Sequence, residues 1–162
     1  MEIIEWRKDD YVLSTDKSKI DISAVHDFLS RSYWAEEIPM ETVKRSIENS
    51  LCFTISHQEM LAGFARVISD FATFAYLADV FVLPNHRRKG LSKWLIQIIL
   101  DHPQLQGLRR FTLATRDAHG LYEQFGFKPF SRPDRWMEKQ DPDIYKRTGN
   151  NEQGTRKDER GM

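Results

Sequence analysis

Cysteine is almost absent from this sequence, which has a single one, Cys52, among 162 residues. One thiol excludes an internal disulfide and any multi-cysteine metal site. Cys52 lies in an apolar, strand-like run, a setting that favours a buried side chain over a reactive nucleophile. No apolar run approaches the roughly 20 residues that a membrane-spanning helix needs, and no signal peptide opens the chain. We therefore expect a reduced, cytoplasmic protein that has no association with a membrane.

An excess of charge is also missing, because 24 Lys and Arg residues stand against 24 Asp and Glu residues. Proteins that bind nucleic acid generally carry a basic excess, so the neutral total argues against that class. The length fits one domain with a substantial core. From about Asp141 onward the chain becomes polar and mixed in charge. We predict one folded domain over residues 1–140 and a disordered polar tail over residues 141–162.

Hydrophobic periodicity predicts a chain of alternating strands and helices. The predicted order is strand, two helices, three strands, helix, strand, helix and strand, which indicates a mixed α/β (α+β) class. Strands are predicted near residues 11–13, 51–55, 60–67, 74–83, 109–114 and 136–138, and helices near residues 22–29, 39–47, 91–99 and 117–124.

The strongest functional signal lies where a buried strand ends and a helix begins. Pro84 stops the strand, and apolar residues at helical spacing start again at Leu91. The N–H groups of a first helical turn have no partner within the helix, and here they coincide with a glycine and a basic cluster. We interpret this stretch as a site for phosphate or pyrophosphate, with an ordinary basic helix start as the alternative. Its residues are Arg87, Arg88, Lys89, Gly90, Leu91, Ser92 and Lys93.

Two motifs in the chain resemble those of one protein family. Arg87-x-x-Gly90-x-Ser92 resembles the Arg/Gln-x-x-Gly-x-Gly/Ala signature of the GNAT superfamily of N-acetyltransferases, which hold the pyrophosphate of acetyl-CoA on this loop. Serine replaces the usual glycine or alanine at the third small position. The run from Ala118 to Phe127 resembles the family's Ala-x-x-Leu-Tyr-x-x-x-Gly-Phe helix. Both motifs occur in the family's order, about thirty residues apart.

The resemblance covers roughly Tyr11 to Lys139 and implies a GNAT-type fold. That fold has a mixed, mostly antiparallel central sheet of about six strands flanked by about four helices. Its fourth and fifth predicted strands, residues 74–83 and 109–114, splay apart to admit acetyl-CoA as co-substrate. The main chain of Val80, Phe81 and Val82 would then contact the cofactor. No metal is expected.

Acyl transfer from a thioester to an amine needs a neutral amine, a polarised carbonyl and a proton for the departing thiolate. The resemblance implies that Tyr122 supplies this proton, and the alternative is a core tyrosine. Asp79 is the only carboxylate inside the central strand, where a buried charge without a role or partner is costly. It is a candidate general base or a structural aspartate with satisfied hydrogen bonds. Glu36, Glu37 and His119 are rival bases.

Several aromatic residues come from segments that flank the acceptor cleft in the family. Together with a nearby carboxylate they could hold a cationic amine through cation–π and charge contacts, although core packing is the alternative for each ring. These candidates are Tyr33, Trp34, Glu36 and Phe74, with Trp136 as a further ring. Arg31 and Arg132 could equally bind an acceptor carboxylate.

The sequence thus predicts an acetyl-CoA-dependent N-acetyltransferase that acts on a primary amine of a small molecule or amino acid. A protein N-terminus or lysine is a less favoured acceptor. We expect a monomer or a homodimer without a nucleic-acid partner. A non-catalytic CoA-binding regulator of the same fold is the alternative function.

Overall fold

Residues 1–149 are described by the structure, a computed structural model. They fall into two units. One comprises Met1–Asp21 and Ile47–Ser131, and the other comprises Ile22–Ser46 and the chain from Arg132 onward. Residues 144–149 are helical. From residue 150 the predicted disordered tail lies outside the described residues, so its disorder stays a prediction.

The first unit contains a six-stranded sheet in which sequence order and spatial order coincide. Each of the first four neighbouring pairs is antiparallel, and the last pair is parallel. A mixed, mostly antiparallel sheet of six strands is what the resemblance implied. The strands are β1 Glu5–Lys8, β2 Tyr11–Ser14, β3 Leu51–His57, β4 Met60–Ser69, β5 Phe74–Val82 and β6 Arg110–Leu113.

Four α-helices lie at the positions that periodicity predicts. They are α1 Ile22–Ser30, α2 Met40–Glu48, α3 Leu91–Asp101 and α4 His119–Glu123. The apolar stripe of α3 is buried through Leu91, Leu95 and Ile99, which join the inward-facing residues of the strands in one hydrophobic core. The spacing i, i+4 and i+8 places these side chains on the face of the helix that the sheet covers.

Two details of the predicted strand order are wrong. The predicted strand at residues 136–138 is absent, and residues 136–140 have no regular structure. Met137 is 97% exposed, so its side chain contributes nothing to a core. The sixth strand is instead β1, which the sequence analysis missed. β1 lies at the edge of the sheet and pairs only with β2. Trp6 and Lys8 are half-buried, whereas Glu5 and Arg7 are exposed. A charged strand of this kind is typical of a sheet edge, where one side of the backbone is open to solvent.

The parallel pairing of β5 with β6 is short. It begins at Phe74 with Arg110 and ends at Leu77 with Leu113, whereas β5 itself continues to Val82. All four residues of β6 pair, so β6 ends at Leu113, and in the described part of the chain the last five residues of β5 have no strand partner on that side. This leaves the opening that the predicted splay requires. On its other side β5 stays paired with β4 as far as Gly63 with Val82.

His102 is a buried polar residue at the C-terminal end of α3. Its Nδ1 accepts a hydrogen bond from the N–H of Gln104 at 3.2 Å, and its ring centre lies 6.4 Å from that of Trp6 and 5.7 Å from that of Phe53. Among the described residues its Nε2 has no hydrogen-bond partner. Burial lowers the pKa of His102, because a charged imidazolium would lose its hydration there.

This burial predicts a loss of stability in mild acid. An unfolded histidine binds a proton below a pH of about 6.5, whereas folded His102 resists that proton until its lower pKa is reached. The free energy of unfolding should therefore be highest above a pH of about 6.5. It should fall as the pH drops from there through the folded pKa of His102. His102→Asn keeps an acceptor for Gln104 and should reduce the difference in stability between pH 8 and pH 5, measured by urea unfolding.

Leu105→Ala is the matched control, because Leu105 is buried in the adjacent turn but does not titrate. It should lower stability by about 2–5 kcal/mol at every pH. An unchanged pH dependence in His102→Asn would show that this histidine is not the acid-sensitive group.

Candidate active site

The predicted anion loop has a backbone shape that suits a ligand at the start of α3. A 3-10 turn over Pro84–His86 follows β5, and Gly90 caps the helix in the left-handed region at φ 75°. Glycine has no side chain to cap the first N–H groups, so these donors have no side-chain partner at the cap. A Cβ on Gly90 would lie 3.4 Å from Nζ of Lys8. That contact is an ordinary one with the end of a flexible side chain, so the positive φ is what explains the glycine.

A cleft of about 350 Å³ opens beside this loop. Seven of the ten residues predicted to contact the cofactor line it. They are Val82, Arg87, Arg88, Gly90, Leu91, Ser92 and Lys93. Val80, Phe81 and Lys89 are not among the lining residues. The cleft also includes His86 and Leu121, which the sequence analysis did not single out as cofactor contacts.

Positive charge accumulates around the loop without compensation. Within the described part of the chain, no carboxylate lies within 4.0 Å of the charged groups of Lys8, Arg88, Lys89 or Lys93. Like charges gathered at the positive end of a helix repel one another, and a bound anion relieves that repulsion. Lys8 comes from β1, so the missed strand supplies a cation that the local motif could not reveal.

Two of the predicted cofactor residues also have structural partners. Nε of Arg87 donates to the carbonyl oxygen of Val82 at 2.9 Å, which ties the loop to the end of β5. Nζ of Lys89 donates to the hydroxyl of Tyr11 at 3.4 Å and lies 5.9 Å from the centre of that ring. These contacts fix the loop on the sheet.

Tyr11 is the centre of a small polar cluster beneath the loop. Its hydroxyl lies 2.8 Å from Nδ1 of His86, and its ring centre lies 4.9 Å from that of His57. The two histidine rings are 5.3 Å apart. Burial, followed by the nearby His57 and Lys89, lowers the pKa of His86. No local pattern indicates this cluster, because its members come from β2, β3 and the loop.

Asp79 occupies a bulge in β5. Two residues of β5, Asp79 and Val80, lie opposite Ala65 of β4, and Asp79 has φ 54°. Its Oδ2 accepts a hydrogen bond from Nε of Arg66 at 2.5 Å, and the side chains of Asp79 and Arg66 are only 8% and 17% exposed. Nη1 of Arg66 also donates to Oγ of Ser50 at 3.1 Å. The carboxylate is thus paired, which favours the structural interpretation of Asp79 over the general base.

Tyr122 lies on α4 and belongs to the hydrophobic core. It is 8% exposed, and its ring makes an edge contact with Phe127 at 5.9 Å. Its neighbour Leu121 lines the cleft, whereas Tyr122 is not among the lining residues. His119, a rival base, is exposed at the start of the same helix. The role of Tyr122 as general acid stays a prediction.

The predicted acceptor residues are divided between the two units. Tyr33 and Trp34 follow α1, are 49% and 40% exposed, and have ring centres 5.1 Å apart. Glu36 and Glu37 are exposed in the same segment. Phe74 lies at the first position of β5, in the unit that contains the sheet. The acceptor set therefore stays a prediction.

Two further properties concern the described residues alone. They include no group of three or more His, Cys, Asp or Glu side chains placed to hold a metal ion. Among their helices, none has the length and apolar character that crossing a membrane requires.

Comparison with known proteins identifies the family. A model of the acetyltransferase (GNAT) family matches residues 20–127. A candidate acetyltransferase of Gibberella zeae is 30% identical over 149 residues, which cover 77% of this chain and 83% of the relative. The crystal structure of a candidate GNAT-family acetyltransferase from Xanthomonas campestris pv. campestris is 52% identical, with a TM-score of 0.82. That match covers 83% of this chain and 96% of the relative.

A more distant structure carries the cofactor. It is a GNAT-family acetyltransferase from Elizabethkingia anophelis with acetyl-CoA bound, 12% identical, with a TM-score of 0.59 over 81% of this chain and 88% of the relative. At that identity the likeness shows the fold alone. The family match and the closer relatives show that this chain belongs to the GNAT family of acetyltransferases, and by class it is an N-acetyltransferase. The resemblance predicted from the two motifs is confirmed.

The Arg66–Asp79 pair predicts a specific stability defect. Asp79→Asn keeps a residue type that tolerates positive φ but removes the charge, which leaves the guanidinium of Arg66 without a counterion. We expect a loss of about 3–5 kcal/mol in the free energy of unfolding, measured by urea denaturation. In Arg66→Met with Asp79→Asn the loss should be smaller than the sum of the two single losses.

Glu41→Gln is the matched control. It removes one charge from the exposed Lys44–Glu41 pair on α2, which should change stability by less than about 1 kcal/mol. An equally small change in Asp79→Asn would show that the bulge does not depend on its ion pair.

Proposed function

We propose that the protein transfers the acetyl group of acetyl-CoA to a primary amine of a small molecule or amino acid. The observation that carries this proposal is the cleft at the start of α3, where uncapped N–H groups meet cations that have no carboxylate partner. A diphosphate is the kind of anion that such a site accepts. Membership of the GNAT family supports acetyl-CoA as its source.

The cleft residues suit different parts of the cofactor. We assign the phosphates to the N–H groups at the start of α3 and to Arg88 and Lys93. We assign the pantetheine arm to the wall that contains Val82 and Leu121, beside the separated end of β5. The main chain of Val80 to Val82 would face the thioester, and a main-chain donor there would polarise its carbonyl.

Proton transfer is divided between the remaining candidates. We propose Tyr122 as the acid that protonates the departing thiolate. Asp79 is better explained as the residue that holds the bulge, because protonating it would leave Arg66 as an uncompensated charge. The amine would then lose its proton to water or to an exposed carboxylate, for which Glu36 and Glu37 stay predictions.

The acceptor is proposed to be a cationic amine. Tyr33 and Trp34 offer exposed ring surface, and Glu36 in the same segment offers a negative charge, which match the chemistry of an ammonium group. A panel of amines incubated with acetyl-CoA, followed by mass spectrometry for a gain of one acetyl group, would identify the acceptor.

The cytoplasmic location and the monomeric or dimeric state stay predictions.

The loop assignment predicts a loss of cofactor binding. Arg88→Ala should weaken CoA binding by about 1–3 kcal/mol, because it removes a charged donor. Gly90→Ala should strain the backbone and fill the space in front of Lys8, and Gly90→Asp should add a negative charge, so affinity should fall further in the second variant. Calorimetric titration with CoA measures all three.

Gly107→Ala is the control for backbone strain. Gly107 also has a positive φ, 72°, but a Cβ there meets nothing within 4 Å. It should lower stability as Gly90→Ala does, by about 1–2 kcal/mol, without changing CoA affinity. Unchanged affinity in both Gly90 variants and in Arg88→Ala would remove the loop from the cofactor site.

Tyr122→Phe tests the general acid. The variant keeps the ring and its contact with Phe127 but loses the hydroxyl. If this hydroxyl protonates the thiolate, turnover at saturating substrates should fall about 10²–10⁴-fold, while CoA affinity and the melting temperature stay close to those of the wild type. Steady-state assays with an amine from the panel measure turnover.

The other outcomes have distinct meanings. Full turnover in Tyr122→Phe would contradict the general-acid role and leave water to protonate the thiolate. A lowered melting temperature would instead indicate a core tyrosine. A wild type that binds CoA but acetylates no amine in a broad panel would favour the non-catalytic regulator.

A further inference from the structure

The polar cluster beneath the anion loop contains a chain of hydrogen bonds whose direction can be assigned. Lys89 lies 3.4 Å from the hydroxyl of Tyr11, and this hydroxyl lies 2.8 Å from Nδ1 of His86. A lysine ammonium can only donate hydrogen bonds. The hydroxyl of Tyr11 therefore accepts from Lys89. Because Tyr11 is buried and this hydroxyl has no other acceptor among the described residues, its own hydrogen is directed at Nδ1 of His86.

This direction determines where His86 carries its proton. A neutral imidazole has one N–H donor and one acceptor nitrogen. Because Nδ1 accepts from Tyr11, the hydrogen of the neutral ring is on Nε2. Among the described residues Nε2 has no hydrogen-bond partner, and His86 is one of the residues that line the cleft. His86 thus keeps one N–H donor that no protein group uses, beside a cleft whose other lining residues include three cations.

The groups that face His86 favour its neutral form. These groups are Tyr11 on β2, His57 on β3 and Lys89 on the loop itself. Burial and the neighbouring positive charge lower the pKa of His86, so near neutral pH the ring is a donor without a charge. A neutral donor can bind a phosphate oxygen without adding repulsion to Lys89, Arg88 and the start of α3.

We propose that Tyr11 is a positioning residue which fixes His86 as an Nε2–H donor, and that His86 donates this hydrogen bond to a phosphate oxygen of CoA. The proposal rests on the proposed function, because it requires CoA in this cleft. Tyr11 itself need not touch the ligand, since it is buried and acts through His86 and Lys89.

The first test reads the protonation of His86 in the free protein. Nitrogen-15 NMR of the imidazole distinguishes the Nε2–H form from the Nδ1–H form. The wild type should show the Nε2–H form near neutral pH, and Tyr11→Phe should show a mixture of both forms because the directing hydroxyl is gone. Nδ1–H in the wild type, or an unchanged spectrum in Tyr11→Phe, would overturn the proposal.

The second test measures affinity for CoA and for pantetheine, which lacks the phosphates. One hydrogen bond is worth about 0.5–1.5 kcal/mol, so His86→Leu should bind CoA about 2- to 12-fold more weakly and pantetheine equally well. His86→Gln, whose amide N–H reaches to about the position of Nε2, should retain more of the affinity. Tyr11→Phe should show a smaller loss, again for CoA alone.

Tyr76→Phe is the matched control, because it removes a tyrosine hydroxyl at a position of β5 that does not line the cleft. It should leave both affinities unchanged. Equal CoA affinity in wild type, Tyr11→Phe and His86→Leu would overturn this inference while leaving the cofactor assignment intact. A wild type that does not bind CoA at all would overturn the cofactor assignment and this inference together.

Discussion

β5 has no pairing with β6 beyond Leu77 and yet continues to Val82, and the proposed cofactor cleft depends on this unpaired end. If the parallel pairing continued, hydrogen bonds to β6 would occupy the main chain at the end of β5. Its early end leaves that edge open beside the starts of α3 and α4. The bulge at Asp79 lies within the unpaired part, and a bulge bends a strand and increases its twist. The ion pair with Arg66 holds an unusual backbone conformation where the strand leaves its neighbour.

The cations of the site differ in pairing from several others in the sheet unit. Arg66, Arg7 and Lys19 have carboxylate partners, whereas the cations around Gly90 do not. Since the chain as a whole is neutral, this local excess results from placement and not from composition. An uncompensated cluster reduces the stability of the ligand-free protein and raises the gain from binding an anion, so cofactor affinity and fold stability are linked through the same groups.

Local signals predicted most of the scaffold. The α3 helix was predictable because its apolar residues recur at helical spacing and Gly90 precedes them. Strand β1 was not predictable in this way, because Trp6 is its only apolar residue and its other residues are charged. An edge strand can form with so little apolar character. The reverse error occurred at residues 136–138, where apolar side chains indicated a strand but no neighbouring strand pairs with them. Strand propensity depends on a partner, and the partner is not a local property of the sequence.

The site also has a part that local sequence predicts and a part that depends on residues distant in the sequence. Arg88, Gly90 and Lys93 lie within one short motif, so their proximity follows from their numbering. Tyr11 and His86 are 75 residues apart and meet only because β2 and the loop come together in the folded unit. Likewise, Asp79 could be recognised as an unusual charge in a strand, but its partner Arg66 could be identified only from the register of β4 against β5. Motifs therefore predicted which ligand the site would hold, whereas the contacts that orient its side chains required the sheet.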